Sequence, residues 1–297
     1  MIDIKKIEQR KTIKELLEFG IINIDKPSGP TSFDISDFVR RTLSEFGVKK
    51  TSHFGTLDPM VTGVLPIAIN RTCRLTGFFL GEDKEYIGIM RMHKDVSLEK
   101  INQAIKEKFL GNIKQTPPRK SRVKRVERER EVKEFELIEK DGNDILFRAN
   151  VQGGTYIRKL VSDLGDFLNI GAHMLELRRI RAGIFKENDK TYPSITLYQL
   201  EEAINEFKNG NDKKFREIII PGEIISEVYP VVEIKNTDLR NILTGKPIYQ
   251  NNLKNTKDYE KFEKGDKVCV FNENRFIEMS RIVKEKEIFS KPEFVLQ

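Results

Sequence analysis

Residues 51–63 read TSHFGTLDPMVTG, a stretch without helical or strand period that gathers one histidine, one aspartate, one proline and two glycines. Glycine and proline fix sharp changes of direction, so a loop of this composition can hold the Asp58 carboxylate rigidly at the mouth of a cleft. The same residues have a plainer reading, in which Asp58-Pro59 makes a turn and nothing more. Other chemistry-bearing side chains are equally plain one at a time. Tyr86 alternates with Ile87 and Ile89 as strand packing does, Arg158 lies on an amphipathic stretch, and Leu177 reads as core. His93 and His173 read as structural.

The elements that would carry these residues follow from period and punctuation. Residues 1–19 form a short charged arm or helix. A strand begins at Gly20 (GIINIDKP) and stops at Pro27. Thr31 or Ser32 caps a helix whose stripe is Ile35, Phe38, Val39, Leu43 and Phe46, ended by Gly47. Residues 64–69 and 86–92 are strands, Ser97 caps a second helix through Phe109, and 115–119 is a Pro-Pro loop. Strands at 132–138 and 144–151 flank the Asp141-Gly142 hairpin signal. Residues 155–168 have helical period, and Thr196-x-x-Gln199 is a capping box for a helix ended by Gly210. After Pro230 the pattern changes to short strands (231–234, 267–271, 276–283) around one helix at 237–243. Strands and helices do not follow a regular βαβ rhythm. We therefore expect an α+β fold with a mixed, mainly antiparallel sheet and a small β-rich module. The expected boundaries are 1–19, 20–228 and 229–297.

Composition narrows the function classes. At roughly 150 residues per domain, 297 residues suggest two domains, and 38% apolar residues suffice for a core. No run of 18 apolar residues suggests a membrane span, and the charged start MIDIKKIEQRK is not of signal-peptide type. The expected location is the cytoplasm. Cys73 and Cys269 stand far apart and alone, so neither a disulfide framework nor a zinc site is expected. The net charge of +7 is unevenly spread: residues 119–134 hold 8 basic and 4 acidic groups. With Arg158-Lys159 and Arg178-Arg179-Arg181, that makes three basic clusters, which points toward nucleic acid.

The 51–63 stretch resembles the signature loop of the pseudouridine synthase family that includes bacterial tRNA pseudouridine synthase B and the archaeal and eukaryotic Cbf5/dyskerin proteins. Four more blocks resemble that family in the same order: GIINIDKPSGPTS at 20–32, Lys84-Glu85-Tyr86, Gly154-Thr155-Tyr156-Ile157-Arg158, and 171–179 (GAHMLELRR). The C-terminal module resembles a PUA domain at 243–248 (LTGKPI) and 264–268 (KGDKV). Ser52 stands where the family commonly has Gly, and 277–281 (IEMSR) lacks the Gly usual near the end of a PUA domain.

The resemblance implies an RNA isomerase that converts uridine to pseudouridine with no cofactor and no metal. Asp58 would be the catalytic carboxylate, Arg158 its charge partner, and Tyr86 a ring that stacks on the base and helps remove the C5 proton. Leu177 would be an apolar wall and His53 the residue that stacks on or replaces the extruded base. Lys26, Arg178 and Arg179 would contact the RNA backbone. The short connection after Met92 and the run at 117–125 (PPRKSRVKR) resemble the archaeal Cbf5 branch. Membership of that branch implies Nop10, Gar1 and L7Ae as protein partners. It implies box H/ACA guide RNA, rRNA and the T-arm uridine at position 55 of tRNA as RNA partners, with neither DNA nor membrane among them. A non-catalytic RNA-binding scaffold subunit on the same fold is the alternative.

Overall fold

The computed structural model describes residues 2–117 and 124–297. Residues 118–123, the centre of the run that suggests the archaeal branch, lie outside the described residues.

Two capped helices open the chain. Asp3 caps α1 (Ile4–Arg10), and a Thr12/Glu15 capping box starts α2 (Ile13–Glu18). Leu16 and Leu17 already belong to the largest apolar cluster, so this segment is packed rather than a free arm. β1 (Phe19–Lys26) follows, and its unbroken apolar run makes a strand buried on both faces. Ile22 and Ile24 join the largest cluster, while Phe19 and Ile21 join a second one behind the sheet. α3 (Ser32–Thr42) is opened by a Thr31/Asp34 box and buries Ile35 and Val39. β2 (Thr51–His53), β3 (Thr62–Asn70), α4 (Thr76–Phe79) and β4 (Lys84–Met92) come next. α5 (Leu98–Ala104) passes without interruption into a wider π turn at Ile105–Phe109, so the helix expected from Ser97 through Phe109 is present with its last turn widened. Then come β5 (Gly111–Gln115), β6 (Arg128–Asp141), β7 (Asp144–Val151), α6 (Ile157–Phe167), β8 (Ala172–Ala182) and β9 (Phe185–Lys186). α7 (Leu197–Lys208), α8 (Lys213–Glu217) and β10 (Ile220–Pro221) complete the first unit.

Among the described residues these strands form one sheet in the order β10-β1-β3-β8-β4-β7-β6-β5, with β2 on β3 and β9 on β8. β3–β8 is parallel, and the other pairings are antiparallel. The parallel junction is tight. Gly63 has φ +99, and a Cβ there would lie 2.2 Å from the Arg179 carbonyl oxygen. α2, α3, α6 and α7 cover the face where the largest cluster lies.

The C-terminal residues form a second sheet from β11 (Val231–Glu233), β12 (Ile248–Tyr249), β13 (Lys267–Asn272), β14 (Arg275–Glu285) and β15 (Ile288–Val295), with α9 (Leu239–Ile242) and α10 (Asp258–Lys261) between strands. Its order is β11-β13-β14-β15-β12. β2, β5, β8, β9, β10, β12 and β15 are strands that the period reading does not reach, β2 lying in a stretch read as having no strand period. β5 carries one buried apolar residue, Ile113, at the sheet edge, and β15 contains Pro292, which period rules read as a strand breaker. The second sheet packs on the back of β1 and β3. The Phe19 ring stacks on Phe276 at 5.3 Å, and Arg71 donates to the Val295 carbonyl at 3.0 Å.

One carboxyl lies wholly inside the second sheet's core. Glu278 on β14 has no exposed surface, and Oε2 has no hydrogen-bond partner among the described residues. Ser280 bonds the other oxygen. Burial pushes its pKa up to about 8, against the hydrogen bond from Ser280. From the ordinary 4.5 to about 8 the unfolded chain loses this proton and the folded chain keeps it. This group therefore removes about 1.4 kcal/mol of stability per pH unit across that window. Glu278→Gln abolishes that slope. Urea unfolding at pH 6 and pH 8 should show the variant gaining on wild type as pH rises; parallel losses in both proteins would refute the buried acid.

Candidate active site

Asp58 stands on a loop with three apolar feet. Phe54 stacks on Phe79 at 4.5 Å, while Leu57 and Val61 enter the largest cluster. Between them Thr56, Asp58, Pro59 and Met60 face solvent. The backbone is fixed with equal care. Val61 N–H donates to the Asp58 carbonyl at 3.0 Å, closing the turn expected of Asp-Pro. The carbonyls of Gly55, Leu57, Pro59 and Val61 are each taken up by a side chain. Arg179 Nη2 donates to Gly55 (3.0 Å) and Ser32 Oγ to Leu57 (2.9 Å). Lys26 Nζ donates to both Pro59 and Val61 at 2.9 Å, and to Pro27 at 2.8 Å. Ser32 Oγ also accepts from Leu57 N–H at 2.8 Å, and Gly29 N–H adds a second donor to Pro59 at 2.9 Å.

Lys26 and Arg179 are therefore not the phosphate contacts expected of them. Both are buried; the three Lys26 donors go to backbone carbonyls, and Arg179 donates through Nε to Val64 and through Nη2 to Gly55. Burial pulls the Lys26 ammonium below its ordinary pKa, and the charge of Asp58 pulls it back. Arg178 departs from expectation too. It is bonded to Glu187 at 2.6 Å and Asp25 at 2.9 Å, and those carboxylates hold its guanidinium charged. Arg181, the last of that cluster, pairs with Glu85 at 3.0 Å. Of that run Arg179 is internal, while Arg178 and Arg181 are ion-paired at the surface and keep 33% and 20% of their side chains exposed.

Arg158 reaches Asp58 as the resemblance implies. Its Nη1 lies 2.8 Å from Oδ2, and the two side chains are 52% and 50% exposed. The pair is thus open to water rather than sealed in a dry pocket. Ile157 anchors the start of α6 in the largest cluster. Gln115 clamps the preceding residue, donating to the Tyr156 carbonyl at 3.2 Å and accepting from its N–H at 3.0 Å. Sequence reading puts Gln115 in a loop; it ends β5, and only the paired strands reveal its reach.

Tyr86 and Leu177 are buried on one face of the sheet. Tyr86 pairs with Arg179, and Leu177 pairs with Gly88, two residues along from Tyr86. Antiparallel partners share a face, as do residues two apart on a strand. Both side chains belong to the cluster that takes Leu57 and Ile157, the neighbours of Asp58 and Arg158. His53 ends β2. Its Nδ1 is buried without a partner among the described residues, and burial plus Arg179 lower its pKa from 6.5, so the ring is neutral at pH 7. Lys84, also buried, donates to the Leu80 carbonyl at 2.8 Å, and burial and Arg179 pull its pKa down to about 8. Ser32, Gln115 and Lys84 are working residues that sequence reading missed; the polar Ser32 opening an apolar helix stripe was the signal available.

The bracing has a direct test. Lys26→Met leaves three inward carbonyls without their shared donor, a loss of about 2–4 kcal/mol. A lower melting temperature and faster limited proteolysis within 55–61 are expected. Wild-type values for both would remove Lys26 from this role.

Comparison with known proteins extends these observations. Residues 41–157 match the N-terminal domain of the TruB family pseudouridylate synthases, and 158–226 match the tRNA pseudouridylate synthase B C-terminal domain. A probable tRNA pseudouridine synthase B of Archaeoglobus fulgidus is 44% identical over 237 residues, covering 80% of this chain and 70% of the relative. One from Methanocaldococcus jannaschii is 41% identical over 240 residues, covering 80% and 69%. Among solved structures, Cbf5 in a Cbf5-Nop10-Gar1 complex superposes with TM-score 0.86 at 36% identity, covering 97% of this chain and 88% of that one. An H/ACA ribonucleoprotein bound to a substrate RNA containing 2′-deoxyuridine gives 0.84 at 34% identity, covering 98% and 89%. With its braced Asp58 loop, its mixed sheet and this likeness over most of its length, the chain belongs to the TruB family of pseudouridylate synthases.

Proposed function

We propose that the protein isomerises uridine to pseudouridine in RNA, with Asp58 as the reacting carboxylate. The observation that carries this reading is the Asp58–Arg158 contact, 2.8 Å long, on a loop whose backbone is fixed by Lys26, Arg179 and Ser32. The reaction breaks the N1–C1′ bond, turns the base and joins C5 to C1′. The C5 proton leaves and N1 gains one, so atoms and electrons balance without an outside reagent. Arg158 fixes Oδ2; Oδ1 makes no hydrogen bond among the described residues and is the oxygen available to the nucleoside. Tyr86 and Leu177 supply the wall behind the base, and Tyr86 is the ring nearest that role in register.

The substrates follow from the relatives. T-arm uridine 55 of tRNA fits relatives named tRNA pseudouridine synthase B. Guide-directed rRNA sites fit the H/ACA likeness, with proteins of the Nop10, Gar1 and L7Ae kinds as partners. Residues 229–297 serve as a PUA-type RNA-binding module, residues 20–228 carry the chemistry, and the cytoplasm is the expected location.

Tritium release from [5-³H]uridine in a T-arm transcript tests the reading. Wild type should release tritium and Asp58→Asn should not, with and without guide RNA and a Nop10-type protein. Release by Asp58→Asn at the wild-type rate would sink Asp58 as the reacting group. Binding of RNA by wild type with no release under any condition would favour the scaffold alternative.

A further inference from the structure

Two large apolar side chains stand in water beside Asp58. Phe33 is 71% exposed and Met60 is 52% exposed, and neither belongs to any of the three apolar clusters. Single exposed apolar residues are ordinary. Here two of them flank the one loop that carries the chemistry. Phe33 follows Ser32, whose hydroxyl exchanges hydrogen bonds with both backbone groups of Leu57. Met60 follows Pro59, whose carbonyl takes the Gly29 N–H. The start of α3 and the far side of the loop are thus sewn together around Asp58, and each seam presents an apolar side chain outward.

Phe33 gives the fold less than a third of its surface and Met60 about half, so a large apolar area at both is left in water. The chemistry beside them does give them work. A base must leave its stack before its glycosidic bond can be reached, and its neighbours then lose a stacking partner. An aromatic ring accepts any base face, because every base has one. We propose that Phe33 and Met60 form an apolar platform on which the nucleotides flanking the target uridine rest, making both of them positioning residues for the substrate strand. This inference rests on the proposed RNA isomerase reading. RNA is favoured over a protein partner because Met60 lies two residues from Asp58 and Phe33 follows Ser32, which is bonded to the backbone of Leu57 next to Asp58, so a strand that reaches Asp58 passes beside both.

The chain contains no tryptophan, so Phe33→Trp introduces a single reporter. In a T-arm stem-loop complex its indole should be shielded from acrylamide quenching relative to the free protein. A control, Tyr198→Trp on α7, replaces a side chain 74% exposed elsewhere and should stay open. In tritium-release assays Phe33→Ala should raise KM by about tenfold or more, the loss of one base–aromatic stack. Its kcat should move less than about twofold, and Phe33→Trp should restore KM. Equal quenching of Phe33→Trp with and without bound RNA, or a wild-type KM for Phe33→Ala, overturns the platform and leaves the isomerase reading standing. Shielding with no tritium release from wild type keeps the platform and fells that reading.

Discussion

Two buried cations give the Asp58 loop its shape. Lys26 and Arg179 could have been neutralised by carboxylates, as buried cations usually are. They are held instead by carbonyl dipoles of the loop and its flanks, at 2.8 to 3.0 Å. Dipoles satisfy the donors but do not cancel the charge. A positive field therefore persists beneath the loop, and the Lys26 ammonium responds to Asp58 as the nearby anion. Every second carbonyl from Gly55 to Val61 is drawn inward, which leaves the Asp58 side chain outward. Backbone bracing and the electrostatics of the site are one set of contacts.

That set joins three neighbouring strands and two helices. Lys26 comes from the end of β1, Ser32 from the start of α3, Arg179 from the middle of β8 and Arg158 from α6. The strand order β1-β3-β8 brings them to one place, and the parallel β3–β8 junction depends on Gly63. The back of β1 is in turn covered by the second sheet, through Phe19 on Phe276 and the Tyr229 hydroxyl on the Phe78 carbonyl at 3.0 Å. Phe19 lies at the opposite end of β1 from Lys26, and the link to the site runs through Phe54, the foot of the Asp58 loop that shares an apolar cluster with Phe271, Phe276 and Met279 of the second sheet. The module that lies far from Asp58 in sequence contributes to the rigidity of the site.

Local signals were legible in the sequence, and pairing was not. The capping box at Thr196 is where the sequence places it, and the cap left between Thr31 and Ser32 is Thr31; the hairpin at Asp141-Gly142 and the apolar strands β1 and β3 are also as expected. Each of these depends on residues within a few positions of one another. The charged residues failed for the opposite reason. Composition counts cations but says nothing of where their partners lie: Asp25 is 153 residues from Arg178, and the Val64 carbonyl 115 from Arg179. Three arginines in one run therefore look like free surface cations, and each is bonded within the chain. The Asp58–Arg158 pair spans 100 residues and was read only through resemblance, since nothing local to either residue points to the other.

An ion pair half open to water contributes little to stability, so the Asp58–Arg158 contact is not there to hold the fold together. It sets the direction of one carboxylate in a site that the protein alone leaves unfinished. Tyr86 and Leu177 are buried in the same apolar cluster as Leu57 and Val61, so packed apolar side chains lie beneath the loop. The side facing solvent has no protein cover among the described residues. Bond cleavage at C1′ separates charge, and fixed dipoles act most strongly on such charge once water has been excluded. The substrate strand must therefore provide the missing wall. A flat apolar rim at Phe33 and Met60 is suited to that closure, because it excludes water under any base sequence and leaves the choice of uridine to the shape of the RNA.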